Sequence, residues 1–406
     1  LARLLGAAEF GRTMLALSWA PGLGTLALAG SDQLLLRELS VGGDAAADAS
    51  VRTFVRRQAR LTTAMATALV VVVALILLGA ALLPAALAIV ALLGAMRRGQ
   101  ALLFAEGRTG RALAGESIAL PLLHLAIVMP VLWVVSTRYG AVAAVSAYAA
   151  AMLLVVTGQA KAASPSFSRL GSPEPTAAQQ AAWRQSSRSF ALVSAAVIGQ
   201  ASIDLWILGS LGTQAEVGSY ALAARLAALV TLPLAVTTYA LAREAAVLHA
   251  AGNTPLLQRH ITNAARLAAG TATVIAAAVL LASPVVQPLL GRSFGHVTAP
   301  LLILVGGQLV NVAVGPVATL LLMTGHERDV RNTILVATAL NAGLTAALVP
   351  WLGGLGAAIG AAVSLAWWNF VLRRRVYVAL GVRAGPLVLS RLPRRRQGEV
   401  RGLHPR

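Results

Sequence analysis

The sequence contains no cysteine and few charged residues, and each shortage excludes a class of protein. Without cysteine, the 406-residue chain has neither disulfides nor thiolate metal sites. Charged residues make up 12% of the chain and hydrophobic residues 58%, whereas soluble domains have about 25% and about 45–50%. The six histidines show no metal-ligand spacing, and no Ser/His/Asp combination indicates catalysis. These features predict an all-α polytopic membrane protein that is not an enzyme and holds no metal or cofactor.

Hydrophobic segments long enough to cross a membrane follow one another along the chain, since a crossing takes about 20 largely apolar residues. Proline inside such segments predicts kinks at Pro121, Pro130, Pro233 and Pro316, the last next to Gly315. The eleven predicted segments lie near residues 11–31, 61–83, 84–105, 112–135, 139–160, 189–210, 218–242, 265–289, 298–324, 333–350 and 354–376.

Basic residues are concentrated in alternate connections between these segments. Of 33 lysines and arginines, 28 lie around residues 32–60, 97–116, 161–188, 243–266 and 326–331 and in the tail from Arg373. The positive-inside rule places these connections and the carboxyl terminus in the cytoplasm. The net charge of +19 therefore indicates topology and not nucleic-acid binding, and we expect the arginine-rich tail to contact anionic membrane lipids.

One short phrase occurs twice, as "LARLLGAAEFG" at the start and "LGSLGTQAEVG" at residues 208–218. Glu9 and Gly11 of the first copy correspond to Glu216 and Gly218 of the second, 207 positions later. A fixed offset indicates internal duplication, and six helices per copy would make the copies parallel. The second copy follows a predicted helix at residues 187–210, so we expect an equivalent helix upstream of the first.

The duplication predicts an organisation of two parallel six-helix bundles, with the first helix of the first bundle missing from this sequence. The predicted parts are an amino-terminal bundle at 1–160, a cytoplasmic linker at 161–188, a carboxyl-terminal bundle at 189–383 and a basic cytoplasmic tail at 384–406.

Two ionisable residues lie at one predicted depth in the membrane. Asp204 precedes Gly212 by eight residues and Arg225 follows Gly218 by seven, which places both about 10–12 Å from the same face. Ionisable groups inside a membrane usually face a cavity. The pair could line a cavity in which the planar guanidinium binds a substrate phosphate, or it could be a structural ion pair between helices.

Four further residues are candidates for substrate binding. Arg97 and Arg98 could form a cationic vestibule near the cytoplasmic mouth of the cavity. Alternatively, their helix could end earlier, with both arginines at the lipid headgroups. Asn311 and Asn341 are amides inside predicted spans, where they could bind sugar hydroxyls or join neighbouring helices.

Three stretches together resemble the polysaccharide (oligosaccharide-lipid) flippase family of the MATE-like exporter superfamily. They are the opening phrase, "SIDLWILGSLGTQAEVGSYALAARLAAL" at 202–229 and "LLLMTGHERDVRNTILVATALNAGLTAALVPWLGGLGAAIGAAVS" at 320–364. The resemblance spans residues 1–383. It implies an alternating-access flippase that moves undecaprenyl-pyrophosphate-linked oligosaccharide across the bacterial inner membrane for surface polysaccharide assembly. It also implies a polysaccharide polymerase and export machinery as partners, and it leaves the coupling ion, H⁺ or Na⁺, open.

Three other functions compete with this prediction. The first is export of drugs or of another lipid, such as lipid II, within the same superfamily. The second is a membrane glycosyltransferase or polymerase, which usually needs acidic groups or histidines in a sizeable outward loop. The predicted outward links have only Glu9 and Glu216 as carboxylates, which argues against such an enzyme. The third is a scaffold without transport activity.

Overall fold

The structure, a computed structural model, describes seven long stretches of the chain. These are residues 2–28, 80–105, 108–135, 139–162, 175–238, 251–290 and 294–386, together with scattered positions between 30 and 72 and residues 241 and 248. Throughout these ranges the regular structure is helical and contains no strand, so the all-α prediction is confirmed.

The helices of the first half include a short π-helical segment. Five residues of π-helix, Gly115–Ala119, join α3 to α4 and make one membrane-spanning element from Gly110 to Val134. The helices are α1 (Ala2–Leu28), α2 (Leu83–Ala105), α3 (Thr109–Ala114), α4 (Leu120–Val134) and α5 (Gly140–Ala162).

The first two helices of the second half begin with the same kind of cap, a capping box. In α6 and α7 a threonine, Thr176 or Thr213, exchanges hydrogen bonds with the residue three positions later, Gln179 or Glu216. This capping box satisfies backbone N–H groups that a helix start leaves unpaired. The helices are α6 (Ala177–Leu211), α7 (Gln214–Ala228), α8 (Thr254–Leu290), α9 (Thr298–Val314), α10 (Val317–Met323), α11 (Glu327–Leu352) and α12 (Gly354–Leu380).

Eight described helices are long and apolar enough to span a membrane, and each coincides with a predicted segment. The predicted segment 298–324 is the bent pair α9 and α10, which meet at 41° around Gly315 (φ 86°) and Pro316, so the predicted kink is confirmed. Segment 11–31 overlaps α1, which is not among the eight. Segment 61–83 lies largely outside the described residues.

Two predicted connections are shorter than the sequence indicated. The basic connection 97–116 is mostly helical, because α2 continues to Ala105 and α3 begins at Thr109. The predicted linker 161–188 overlaps α6, which begins at Ala177, twelve residues before the predicted segment. The end of α2 at Ala105 is where its predicted segment ends, whereas polar residues extend the starts of α3 and α6 beyond the predicted apolar stretches.

The helices pack in two groups. In the amino-terminal group α1 and α5 pack against α2, and α4 packs against α5; in the carboxyl-terminal group α11 packs against α6 and α12, and α9 against α7, α8 and α12. Glycine permits close approach within a group: a Cβ at Gly356 of α12 would lie 2.6 Å from the Leu348 backbone of α11. Small residues let membrane helices approach in this way. Between the groups, α1 packs chiefly against α7 and α6.

The repeated phrase forms the crossing of α1 and α7. A Cβ on Gly11 would lie 2.0 Å from the Gln214 carbonyl oxygen, and one on Gly218 would lie 2.0 Å from that of Ala7. The two backbones therefore touch, and the two copies of the phrase lie at the same end of the molecule. We call this contact the glycine crossing.

The two repeated glutamates also occupy similar positions at this end. The Glu9 carboxylate accepts a hydrogen bond of 3.0 Å from the Ala141 N–H, at the start of α5. The Glu216 carboxylate lies against Gly353, just before α12, where a Cβ would be 2.1 Å from its Oε1. Each carboxylate thus lies near the positive end of a helix dipole, where negative charge is stabilised.

Candidate functional site

A cavity of about 470 Å³ lies between α1, α6 and α7, where the two groups of helices meet. Most of its wall is apolar. Its polar lining side chains are Ser18, Thr25, Ser202, Asp204, Tyr220 and Arg225.

Asp204 is a buried carboxylate, 8% exposed, in the membrane-spanning part of α6. The Tyr220 hydroxyl of α7 donates a hydrogen bond to its Oδ2, and the Leu205 N–H donates another of 2.8 Å to its Oδ1. Burial of a polar group costs free energy unless hydrogen bonds replace those to water. The hydrogen bond from Tyr220 therefore compensates the burial of the Asp204 carboxylate and joins α6 to α7.

Arg225 lines the same cavity but does not bind Asp204. Its side chain is exposed, and within the described part of the chain it forms no hydrogen bond or ion pair. The interpretation of Asp204 and Arg225 as a structural ion pair is therefore wrong, since Tyr220 is the partner of the carboxylate. Arg225 therefore lines the cavity without a protein partner among the described residues.

Two stacked tryptophans support the cavity from α1 and α6. The rings of Trp19 and Trp206 lie 4.1 Å apart at 12°, and the Trp206 Nε1–H donates a 3.2 Å hydrogen bond to the Ser18 Oγ. Gly22 makes room for this stack, because a Cβ there would lie 2.9 Å from Trp206. The tryptophan stack and this hydrogen bond thus join α1 of the amino-terminal group to α6 of the carboxyl-terminal group beside the cavity.

A second polar cluster lies inside the amino-terminal group. Arg97 pairs with Glu116 at 2.8 Å, and the Gln100 Nε2–H donates a hydrogen bond of the same length to Glu116. The π-helix carries Glu116, and such segments are frequent at functional sites. Glu116 belonged both to the predicted connection 97–116 and to the predicted segment 112–135, and the structure places it in a membrane-spanning helix.

The two arginines of α2 lie within their helix. Because α2 continues to Ala105, the alternative of an earlier helix end at the headgroups is wrong. Arg97 has its acidic partner, whereas the Arg98 Nη1 is buried and has no hydrogen-bond partner among the described residues. Neither arginine lines the cavity at Asp204.

Tyr148 of α5 connects the two polar regions. Its ring packs edge-on against His124 at 5.3 Å, and its hydroxyl lies within electrostatic range of Glu116, Arg225 and Arg97. Charged groups from both halves of the chain therefore act electrostatically on the Tyr148 hydroxyl. No signal in the sequence pointed to Tyr148, whereas Tyr220 could have been found as the tyrosine five residues before Arg225.

The two candidate asparagines lie in helix contacts away from the cavity. The Asn369 Nδ2–H of α12 donates a 3.0 Å hydrogen bond to the Asn311 Oδ1 of α9. Asn341 is 1% exposed and accepts a 3.1 Å hydrogen bond from the Thr345 hydroxyl. Asn311 thus has a hydrogen bond that joins two membrane helices, whereas Asn341 bonds within α11, and neither amide lines the cavity at Arg225.

Glu116→Gln is expected to lower the free energy of unfolding by about 1–2 kcal/mol, since Arg97 would keep its charge and lose its partner in a half-exposed site. Gln100 retains an acceptor at residue 116, so the change removes charge and little else. Thermal unfolding in detergent measures the effect. The double variant Arg97→Gln with Glu116→Gln should recover part of the loss, and simple addition of the two single effects would contradict the pairing.

The fold is that of the MATE transporters of the MOP superfamily. The structure is similar to an inward-facing multidrug resistance MATE family transporter of this superfamily, with a TM-score of 0.70 and 15% identity over 94% of this chain and 96% of that one. It is also similar to the lipid II flippase MurJ in its inward closed conformation, with a TM-score of 0.71 and 11% identity over 92% and 84%.

An outward-facing multidrug resistance MATE family transporter is less similar in shape, with a TM-score of 0.58 and 16% identity over 93% of this chain and 88% of that one. No protein-family model and no curated protein matches the sequence. At these identities the similarity defines the fold. The MATE-like fold that the sequence resemblance implied is thus confirmed, while membership of the oligosaccharide-lipid flippase family stays a prediction.

Proposed function

We propose that this protein is a flippase that moves undecaprenyl-pyrophosphate-linked oligosaccharide across the bacterial inner membrane. The observation that carries the proposal is Arg225: an arginine without a protein partner in the described chain lines a cavity between membrane-spanning helices. A fixed cation inside a membrane is costly, so its position is best explained by an anionic cargo. The planar guanidinium suits two-point contact with a phosphate.

The cavity also suits the remainder of such a cargo. Ser18, Ser202 and Thr25 present hydroxyl groups, and most of the remaining wall is apolar. Because Tyr220 satisfies Asp204, the carboxylate does not compete with a phosphate for Arg225. Arg97, Arg98 and Glu116 are proposed to act at a neighbouring step of the cargo's path, where Tyr148 lies within electrostatic range of Arg97 and Glu116.

Alternating access accounts for the glycine crossing. Close contact of α1 and α7 at one end seals the cavity there, and the structure is more similar to the inward-facing MATE transporter than to the outward-facing one. We therefore assign the sealed end to the outside and the opposite end to the cytoplasm. This direction agrees with the concentration of basic residues at the predicted cytoplasmic connections.

Complementation tests the function. The full chain, produced in bacteria that lack their own oligosaccharide-lipid flippase, is expected to restore surface glycan, which requires the polymerase and export machinery of that strain. The same cells are tested for drug resistance, since one structural neighbour is a multidrug transporter. Resistance without glycan at normal protein level would favour drug export, and restored lipid II transport alone would favour a different lipid cargo.

Reporter fusions test the orientation. A fusion after Arg383 is expected to report the cytoplasm and one after Gly140 the exterior, because basic connections remain inside. The structure places Gly140 at the glycine-crossing end, where a Cβ on it would lie 2.4 Å from Leu5. Two fusions that report the same side would show that the proposed topology is wrong.

A further inference from the structure

A second cavity of about 470 Å³ lies at the far end of α12, and we call it the basic pocket. It is lined by Phe370, Arg373, Arg374, Tyr377, Arg383 and Ala384. Since α12 begins beside Glu216 and has 27 residues, its end lies about 40 Å from the glycine crossing, at the end that we assign to the cytoplasm.

The segment after α12 is held in place to form one wall of this pocket. Gln258, which is 6% exposed, accepts a 2.7 Å hydrogen bond from the Arg383 N–H and donates one of 2.8 Å to the Arg383 carbonyl. The Arg266 Nε–H donates a further 3.0 Å hydrogen bond to the Pro386 carbonyl. Val382 and Ala384 are fully buried. The pocket is therefore built into the fold and does not depend on the remainder of the tail.

The positive charge of the pocket has no counter-charge among the described residues. Arg373, Arg374 and Arg383 form no ion pair there, and no acidic side chain lines the pocket. Arg375, on the same helix, differs because it pairs with Asp329 at 3.3 Å. The Arg383 guanidinium lies 5.7 Å from the centre of the Tyr377 ring, which fixes its position. Arg373, Arg374 and Arg383 are exposed and line one pocket, so an anion bound there would be attracted by three like charges.

The exposed apolar side chains beside the pocket indicate where that anion comes from. Phe370, Tyr377 and Val378 are 55%, 50% and 75% exposed on a membrane-spanning helix, where such side chains face lipid. A ligand at the arginines would therefore lie at the level of the headgroups with its apolar part against this surface. Basic pockets at the cytoplasmic side of membrane helices suit anionic headgroups.

We propose that the basic pocket binds the headgroup phosphate of an anionic phospholipid from the cytoplasmic leaflet. Arg373, Arg374 and Arg383 hold the phosphate, and Phe370 and Tyr377 contact the glycerol and the start of the acyl chains. This site is separate from the cavity at Arg225 and does not depend on the transported cargo.

Native mass spectrometry of the full chain in detergent tests the proposal with phosphatidylglycerol and phosphatidylcholine as probes. Substitution of glutamine for all three arginines is expected to lower the affinity for phosphatidylglycerol about 100-fold, and Arg383→Gln alone about fivefold. Binding of phosphatidylcholine should not change. Arg375→Gln is the matched control and should bind as the wild type does, because Arg375 is already paired.

Two further measurements separate the alternatives. Inorganic phosphate is expected not to displace phosphatidylglycerol; complete displacement would assign the pocket to a soluble phosphate compound and overturn the lipid proposal. If the triple variant does not fold, the three single variants carry the test, each with an expected loss of about fivefold. Wild-type affinity in all three single variants, or an equal loss of affinity in Arg375→Gln, overturns the proposal.

The triple variant should keep the topology of the wild type, because seven basic residues remain in its tail.

Discussion

Gly218→Ala is expected to shift the protein away from the conformation sealed at the glycine crossing and to reduce transport strongly. The new Cβ would lie 2.0 Å from the Ala7 carbonyl oxygen, which is backbone and cannot rotate away. Overpacking of this kind costs about 1–3 kcal/mol. Because the contact exists only while α1 and α7 touch, the cost applies to one conformation, and the population should shift about 5–150-fold.

The absence of cysteine makes this shift measurable. Trp133 and Trp351 are 82% and 86% exposed at the same end of the molecule, one in each group of helices, so Trp133→Cys and Trp351→Cys give two unique spin-label sites. Electron paramagnetic resonance should show one predominant short distance in the wild type and a longer one in Gly218→Ala. Gly270→Ala is the matched control, because a Cβ at this lipid-exposed helical glycine meets nothing within 4 Å.

The partner glycine provides a sharper test. Gly11→Ala should produce the same longer distance, since its Cβ would meet the Gln214 carbonyl oxygen at 2.0 Å. Once one methyl group has separated the helices, the second costs little, so the double variant should resemble each single variant. Unchanged label distances in all three variants would show that the crossing does not open.

Arg225→Ala is expected to reduce export of lipid-linked oligosaccharide about 10–100-fold at normal protein level. The loss corresponds to about 1.5–3 kcal/mol, the usual contribution of hydrogen bonds to a charged group. Folding should be preserved because Asp204 is bonded to Tyr220 and does not depend on the arginine. Arg225→Lys should retain part of the activity, since it keeps the charge and loses the planar two-point geometry.

Surface glycan in cells without their own flippase measures this effect, with membrane protein level determined in parallel. Arg375→Ala is the control, because it removes an arginine that pairs with Asp329 away from the cavity. Asp204→Asn with Arg225→Ala tests whether the carboxylate contributes to the loss. Normal glycan display by Arg225→Ala would show that the arginine does not bind the cargo, and the proposed function would lose its main support.

The membrane-spanning helices could be predicted from the sequence because their apolar length is a local property. The bend at Gly315 and Pro316 was predictable for the same reason, since both residues act on their own backbone. The ends of the helices were harder to predict from the sequence. The start of α6 at Ala177 is set by Thr176 and Gln179, which cap a polar extension that a search for apolar segments does not detect.

The contacts of the site depended on packing that local sequence does not specify. Asp204 and Arg225 line one cavity, which was one of the two interpretations of the sequence, but the carboxylate accepts its hydrogen bond from Tyr220 and does not pair with Arg225. Glu116 lies where the predicted connection 97–116 overlaps the predicted segment 112–135, and the sequence did not indicate that a π-helix brings it to Arg97. Such partners are selected by how helices rotate against one another.

Gly11 and Gly218, which are 207 positions apart, are equivalent members of the repeated phrase, and they contact each other. In an assembly of two identical subunits, a residue on the two-fold axis meets its own copy, and one codon determines both sides of the contact. In a fused chain the same contact is specified by two codons. Under the duplication predicted from the sequence, either position alone can acquire a side chain, so selection must preserve the glycine at two positions where the unduplicated form would need it at one.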